Sequence, residues 1–440
     1  MSKLLQGFKW IGIALAVMVG ALFVCQIIGG IRLYAQMVSL RDRGVPTSLE
    51  DLAKNTIPDS QNGAVIYEQI FAEMKKPEVA RDIKIIDNIE YDKQTHDMPK
   101  AVRPQVAAAL NNLRPLFDML DIALSCPKCK FKRQFSRNEL IFPYLSSMRR
   151  LSRLCLAQAV LATDEGRTRD AVHWIGIGYK ASESLERGDF VIEHIVEDSL
   201  QRMASRSLEY VIDRVHIDDQ NAKSLFDLMG GIDNSGAVSR CIKGERASIL
   251  SYYSASTDLR FMVDDPDEKP TTYSRLLGAS WHWFARNTDY LILLDGIAFQ
   301  AKSGDLSYRD AKSRGLLDNN FQAPLYSIVA KGMLWIFPSV RRHRYVQECQ
   351  TSFNRMILAL VAYKERYGRY PKSIVELRNR LGWKLPTDPF GGADFKYRRE
   401  GQGFILYSLG PNLKDDGGVQ HETRVFARDE TGDYVWKMAR

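Results

Sequence analysis

Residues 10–31 read WIGIALAVMVGALFVCQIIGGI, a run of 22 residues without a charged side chain. At about 1.5 Å of rise per residue, a helix of this length reaches about 33 Å, enough to cross a hydrocarbon layer of about 30 Å. A cleaved signal peptide usually has a shorter apolar region that ends in small residues, whereas bulky Leu33 and Tyr34 follow this run. The sequence therefore predicts a retained transmembrane helix over 10–31, preceded by an N-terminal tail over 1–9.

The charges on either side of this helix do not decide its orientation. Lys3 and Lys9 flank one end, and Arg32, Arg41 and Arg43 flank the other. The preference of Lys and Arg for the cytoplasmic side therefore gives no clear direction. Because a short N-terminal tail before a large body usually stays inside, we expect a single-pass protein with the bulk of the chain extracytoplasmic.

Length and composition are those of an ordinary folded protein. The 440 residues exceed one ordinary core and suggest two or three folded units. The net charge is +8, and residues 341–440 alone hold 19 Lys and Arg against 12 Asp and Glu. Such a skew marks a separate unit, and it would suit anionic lipid, an acidic partner or nucleic acid. Because the sequence contains no nucleic-acid motif, we expect a solvated basic surface and no nucleic-acid partner.

The middle of the chain has the spacing of α-helices. After a linker with a short helix over 32–62, apolar residues recur every three or four positions within a helical domain over 63–338. Five positions resemble part of a tetratricopeptide (TPR) unit: Ala162, Gly166, Ala171, Ile175 and Gly178. A TPR array needs such a unit about every 34 residues, and we find one unit only. The domain is therefore predicted to be irregular or TPR-like.

Catalytic motifs are missing from the sequence. It contains no H-E-x-x-H, no G-x-S-x-G and no P-loop pattern. The densest cluster of His and carboxylate side chains comprises Glu193, His194, Glu197 and Asp198. It reads H-x-x-E once, whereas di-metal helical bundles use E-x-x-H in two helices. We therefore expect a solvated helix face and a protein that is not an enzyme, with an unrecognised site in the helical domain as the alternative.

Six cysteines are spread along the chain, and Cys126 and Cys129 form its one close pair, in a C-x-x-C pattern. A closed zinc site needs four ligands, and no second C-x-x-C or paired His follows at the spacing of a zinc finger. Outside the cytoplasm the pair would suit a small disulfide loop. Cys126 and Cys129 are thus a disulfide candidate, with unpaired thiols or a metal site as the alternatives.

Residues 339–440 predict a small α+β unit. An amphipathic helix over 349–367 ends at Gly368, because glycine favours the position after a helix. A short helix over 373–381 follows. Alternating side chains then predict a three-stranded antiparallel sheet, with strands over 395–398, 404–408 and 434–437.

Motifs in this unit resemble the globular domain of the type II secretion major pseudopilin. They run in the family's order: A-Y-K at 362–364, G-R-Y-P at 368–371, L-P-T-D-P-F-G at 385–391, Tyr397 and Y-S-L-G at 407–410. The match covers about residues 345–438, and the whole chain resembles uncharacterised bacterial membrane-anchored proteins that carry this domain. Gly7-Phe8 before the apolar helix resembles the processing site of pilins and pseudopilins, which carry a Glu at the fifth position after the cleavage point. That position is Gly12 in this chain, so we expect an unprocessed N-terminus.

The resemblance implies a calcium ion in the loop after Y-S-L-G. In the pseudopilin family, backbone carbonyls and acidic side chains of this loop bind calcium, an ion that takes about 6–8 oxygen ligands. The matching candidates in this chain are the Leu409 carbonyl group, Asn412, Asp415, Asp416 and Asp433. Asp and Gly also favour solvated turns, so an acidic turn without an ion is the alternative.

Together these features predict a structural or protein-interaction component of the bacterial envelope. It would be anchored in the inner (cytoplasmic) membrane by a single pass, with envelope proteins as partners and calcium as a stabilising ion. A component of a type II secretion or pilus-like apparatus is the further alternative.

Overall fold

The first helix, α1, spans Ser2–Asp42 and contains the predicted membrane segment. The computed structural model describes residues 2–53, 57–92, 97–135, 140–185, 188–232, 236–255, 271–317, 321–324, 327–419 and 433–438. Within these residues, α1 is the one helix that is long and apolar enough to cross a membrane. Trp10 and Val17 in its first half are 70% and 67% exposed, whereas Leu33 in its second half is 1% exposed. The N-terminal part of α1 is therefore exposed, and its C-terminal part is packed in the core.

Five helices follow and form the first part of the body: α2 (Leu49–Ala53), α3 (Gly63–Glu73), α4 (Pro77–Asp87), α5 (Arg103–Asn112) and α6 (Arg114–Ser125). Proline stands in the first turn of α4, α5 and α6, where its missing N–H costs no helical hydrogen bond. The Asn62 side chain caps α3 by accepting a hydrogen bond of 3.2 Å from the Ala64 N–H. Tyr67, Val106 and Met148 lie fully buried where these helices meet the next group.

The second group begins with two short antiparallel strands and continues with five helices: β1 (Gln134–Phe135), β2 (Leu140–Ile141), α7 (Tyr144–Asp164), α8 (Thr168–Glu183), α9 (Val191–Arg214), α10 (Asp219–Gly230) and α11 (Ala237–Ala255). α8 packs against both α7 and α9. A turn at Gly166 separates α7 from α8, and Gly166 has a φ of +75°, which glycine adopts without strain. Gly178 brings α8 close to α9, since a Cβ atom there would lie 3.3 Å from the Ala204 Cβ.

The third group contains six helices: α12 (Thr272–Phe284), α13 (Arg286–Gly304), α14 (Tyr308–Ser313), α15 (Ile328–Leu334), α16 (Ile336–Tyr367) and α17 (Ile374–Leu381). α12 and α13 pack against α1. Leu33 and Met37 of α1 share one core with Leu293 and Ile297 of α13 and Phe337 of α16. The second half of α1 is therefore part of the fold of the body.

A small antiparallel sheet lies near the C-terminus: β3 (Lys396–Glu400), β4 (Gly403–Ser408) and β5 (Tyr434–Met438). β4 lies between β3 and β5, with Tyr397 opposite Leu406 and Leu406 opposite Trp436. Gly401, with a φ of +56°, forms the tight turn between β3 and β4. Every residue of β4 is buried, so this strand carries the contact between the sheet and the helices.

The mainly helical class, the apolar N-terminal helix and a small antiparallel sheet are confirmed. The predicted C-terminal helix ends at Gly368 in the left-handed conformation, with a φ of +67°. The short helix predicted over 373–381 is α17, whose first turn is capped by the Ser373 side chain. The end at Gly368 and the short helix are placed correctly because capping residues are local signals, whereas the predicted start at 349 is wrong, since α16 begins at Ile336.

The predicted division between residues 338 and 339 falls inside α16. One core joins the two sides of that position and contains Leu208 of α9, Phe353 of α16 and Phe404 of β4. The C-terminal elements therefore share their apolar interior with the helical body.

Candidate functional site

The contact between α1 and the α12–α13 corner is polar and close. The Gln26 side-chain amide donates a 2.9 Å hydrogen bond to the His282 carbonyl oxygen and accepts one of 2.9 Å from the Asn287 N–H. The Asn287 side chain in turn donates to the Gln26 carbonyl oxygen at 3.0 Å. Gly30 allows this approach, because a Cβ atom there would lie 2.7 Å from the Asn287 amide nitrogen. A specific joint therefore fixes the apolar helix to the body.

Asp388 organises the loop that precedes β3. Its carboxylate is 2% exposed and accepts hydrogen bonds from the Phe390 N–H at 3.0 Å and the Ser408 hydroxyl at 2.8 Å. It also accepts one of 3.1 Å from the Leu409 N–H. The D-P-F-G and Y-S-L-G motifs thus meet at one buried carboxylate, which fixes the peptide of Leu409 at the end of β4.

The acidic loop after β4 places its two neighbouring aspartates on different partners. Asp415 accepts a 2.9 Å hydrogen bond from the Tyr407 hydroxyl and lies 3.2 Å from the Lys396 ammonium. Asp416 accepts a 2.8 Å hydrogen bond from the Asn412 side-chain amide. Each of these carboxylates is therefore held by a protein donor.

Asp433, which precedes β5, is the buried carboxylate of this loop. It is 2% exposed, and its Oδ2 atom accepts a 2.8 Å hydrogen bond from the Gly418 N–H. Its Oδ1 atom has no hydrogen-bond partner among the described residues. Burial raises the pKa of Asp433, and the negative charges of Asp416 and Asp415 add to this effect although backbone hydrogen bonds oppose it. A bound cation would offset the negative charge of the three carboxylates and favour the charged form of Asp433.

The structure gathers the predicted calcium ligands in one region without arranging them as a closed site. Among the described residues, no group of three or more His, Cys, Asp or Glu side chains is placed to hold a metal ion. The donor chemistry nevertheless suits calcium, because the unpaired Oδ1 atom of Asp433 lies in a region that Asp415 and Asp416 make negative. The calcium site stays a prediction, with Asp433 as its most buried ligand.

Cys126 and Cys129 are free thiols in the structure, and both are half-buried. The Cys126 thiol donates to the Ile122 carbonyl oxygen at 3.6 Å. Burial, reinforced by Cys126, raises the pKa of Cys129 to about 12. Such a thiol is a poor nucleophile at neutral pH. The disulfide stays a prediction.

The expectation of a solvated face at 193–198 is wrong. Glu193, His194, Glu197 and Asp198 are all 3% exposed or less. Glu193 forms a forked ion pair with Arg133 at 3.0 Å, and Arg133 also lies 2.9 Å from Asp189. The Tyr144 hydroxyl donates to Glu193 as well. This largely buried ion pair therefore joins β1 and its flanking loop to the first turn of α9.

His194 and Asp198 lie further along the same buried face of α9. His194 Nδ1 lies 3.3 Å from a Glu197 carboxylate oxygen. Burial acts to lower the pKa of His194, but the hydrogen bond to Glu197 and the charge of Asp198 outweigh burial and raise it. Burial raises the pKa of Asp198 to about 6. These groups face His343 of α16, whose Nδ1 atom lies 3.9 Å from Asp198.

A second set of polar contacts continues this line between α9 and α16. The Gln347 amide donates to Gln201 at 2.6 Å. The Asn354 amide donates at 3.1 Å to the hydroxyl of Tyr179 on α8, which lies 2.9 Å from the Ser205 hydroxyl of α9. The polar face of α9 is buried because α16 offers a matching polar face. The sequence holds a sign of this in two polar stripes at helical spacing: Glu193, Glu197, Gln201 and Ser205 on α9, and Gln347, Thr351 and Asn354 on α16.

Comparisons of the chain with protein-family models, with curated proteins and with solved structures find no match.

Proposed function

We propose that this protein is a structural or protein-interaction component of the bacterial envelope, anchored by α1 in the inner membrane with its body extracytoplasmic. The proposal rests on the difference between the two ends of α1, of which the N-terminal one is exposed and the C-terminal one is packed against the body. Residues 9–25 are exposed without exception, whereas Gln26, Leu33 and Met37 are buried against the body. The charge-free run over residues 10–31, most of which is exposed, is long enough to cross a bilayer, where a helix satisfies its own backbone groups.

Retention of α1 is favoured over cleavage because the body uses it. Removal of residues 1–31 would take away Gln26 and its hydrogen bonds to the α12–α13 corner. It would also leave Leu33 and Met37, which belong to the core around Leu293, at a loose chain end. A signal peptide that is discarded has no reason to form such contacts.

A surface cavity supports the interaction role. It has a volume of about 400 Å³ and lies between α6, α8 and α10. Its floor includes Val172 and Leu225, and its rim carries the exposed side chains of Arg169, His173 and Lys180. An apolar floor with a polar rim, which here also includes exposed Asp121, is typical of a surface that binds another protein through a few anchoring side chains.

The C-terminal elements are proposed to be pseudopilin-like and to bind calcium. The helix that ends at Gly368, the β3–β4 hairpin and the contact of Asp388 with Ser408 support the resemblance, because they bring its scattered motifs together. The incompletely paired carboxylate of Asp433 supports the ion. In this arrangement calcium would hold the loop against β5, and Asp415 and Asp416 would supply further oxygen ligands.

A reporter fused after Arg440 tests the predicted side of the membrane. Alkaline phosphatase, which folds outside the cytoplasm, is expected to be active in this fusion, and green fluorescent protein at the same position is expected to be dark. The same pair fused after Lys9 is the matched control and should give the reverse result. Fluorescence without phosphatase activity at Arg440 would place the body in the cytoplasm and overturn the extracytoplasmic assignment.

A further inference from the structure

α12 presents an exposed apolar stripe beside the membrane helix. Tyr273, Leu276 and Trp283 are 71%, 65% and 59% exposed. Their spacing of three and seven residues places them on one face of the helix. The opposite face is buried through Trp281, whose indole N–H donates a 2.8 Å hydrogen bond to Asp289. The exposed stripe is therefore not a consequence of poor packing.

The composition of α12 matches that of helices that lie in a membrane interface. Residues 272–284 contain no acidic side chain, two tryptophans and one tyrosine. Trp and Tyr are enriched where hydrocarbon meets headgroups, because the ring is apolar and its N–H or O–H group needs a polar partner. Arg275 is exposed near the start of α12, from where its guanidinium can reach a lipid phosphate.

The joint between α1 and α12 fixes the depth of this stripe. The last turn of α12 is hydrogen-bonded to Gln26 through the His282 carbonyl group. Gln26 lies five residues before the end of the charge-free run at Ile31, or about 8 Å along the helix axis. If α1 crosses the bilayer, the end of α12 must therefore lie within the outer part of the hydrocarbon or at its boundary.

We propose that α12 rests in the membrane interface, with Tyr273, Leu276 and Trp283 in contact with lipid. This inference rests on the proposed anchor function of α1. The occupant is lipid because the last turn of α12, which carries Trp283, is hydrogen-bonded to the anchor at Gln26, inside the charge-free run. The body would then be held to the bilayer by two helices, so that it cannot swing freely about a single flexible joint.

Spin-label accessibility in the full-length protein, reconstituted in nanodiscs of anionic phospholipid, tests this inference. Cys126 and Cys129 are replaced by Ser, and the exposed native Cys25 then provides the lipid reference at nearly the same depth as the joint. In a Cys25→Ser background, Trp283→Cys or Tyr273→Cys provides the test position. Val375→Cys on α17, where the native side chain is 57% exposed, provides the aqueous reference.

The ratio of oxygen accessibility to nickel-chelate accessibility at positions 283 and 273 is expected to exceed that at position 375 several-fold and to approach that at Cys25, most closely at 283, which lies in the turn bonded to Gln26. A lipid-like ratio at Cys25 together with a water-like ratio at 283 and 273 would overturn the interfacial position of α12 and leave the anchor intact. A water-like ratio at Cys25 itself would overturn the anchor and this inference with it. All test positions are exposed, so the substitutions leave the core unchanged.

Discussion

Arg133→Met is expected to lower the free energy of unfolding by about 3–5 kcal/mol, because removal of one partner of a buried ion pair leaves the other charge uncompensated. The Arg133 and Glu193 side chains are only 6% and 4% exposed, so the remaining carboxylate would be poorly solvated even though both residues line a cavity of about 220 Å³. Urea unfolding of the full-length protein in detergent measures the effect.

Two further variants separate the ion pair from the general cost of a substitution. Arg398→Met removes one partner of the exposed pair with Glu400, and it should change the stability by no more than about 1 kcal/mol. Arg133→Met combined with Glu193→Gln should recover part of the loss, because the amide oxygen can still accept from Tyr144 without carrying a charge. A loss below about 1 kcal/mol for Arg133→Met would show that the buried pair does not hold β1 to α9.

Saturating calcium is expected to stabilise the full-length protein by about 2.7 kcal/mol at a hundredfold excess over its Kd, because the ion binds only the folded loop. The whole chain is needed, since the core of the C-terminal elements includes Leu208 and other residues of the helical body. Magnesium should stabilise much less, because it requires tighter octahedral geometry and keeps its waters. Unfolding curves recorded with calcium, with magnesium and with a chelator give the free energy of unfolding under each of the three conditions.

The calcium effect should depend on pH in a defined direction. Burial raises the pKa of Asp433, so without the ion the folded state favours the neutral carboxyl and loses stability as the pH rises through this raised pKa. Calcium binds the charged form, and its contribution should therefore grow as the pH rises and shrink under acid conditions.

Substitutions in the loop and next to it provide the control. Asp433→Asn and Asp416→Asn should each remove most of the calcium increment. Asp394→Asn, which removes an exposed partner of Arg378 outside the loop, should leave the increment unchanged. Identical unfolding curves with calcium and with chelator in the unsubstituted protein would mean that the acidic loop is a turn without an ion.

Local signals explain which parts of the fold could be predicted from the sequence. The charge-free run of α1 and the glycine that ends α16 at Gly368 act through their own backbone and neighbours. The pairing of β3 with β4 likewise reflects a local hairpin, although β4 is buried throughout and does not alternate. These features need no knowledge of distant contacts, whereas the start of α16 at Ile336, well before the predicted 349, carries no such local signal.

The buried polar face of α9 could not be predicted in this way. Glu197 and Asp198 look like solvent-facing residues until α16 is placed against them, and Gln347 lies 146 residues from its partner Gln201. Trp281 and Trp283, which lie two positions apart, pose a similar difficulty, because the surrounding sequence does not show which of the two is buried. In the structure the first is 5% exposed and the second 59%, as the helix directs them to opposite sides.

Intact-mass measurement of the mature protein, combined with alkaline washing of membranes, tests most directly whether α1 is a retained anchor. We expect the mass to include residues 1–31 and the protein to stay in the membrane pellet at high pH, since the charge-free run spans the bilayer. A mature chain that begins after residue 31 and is released by the alkaline wash would contradict the anchor.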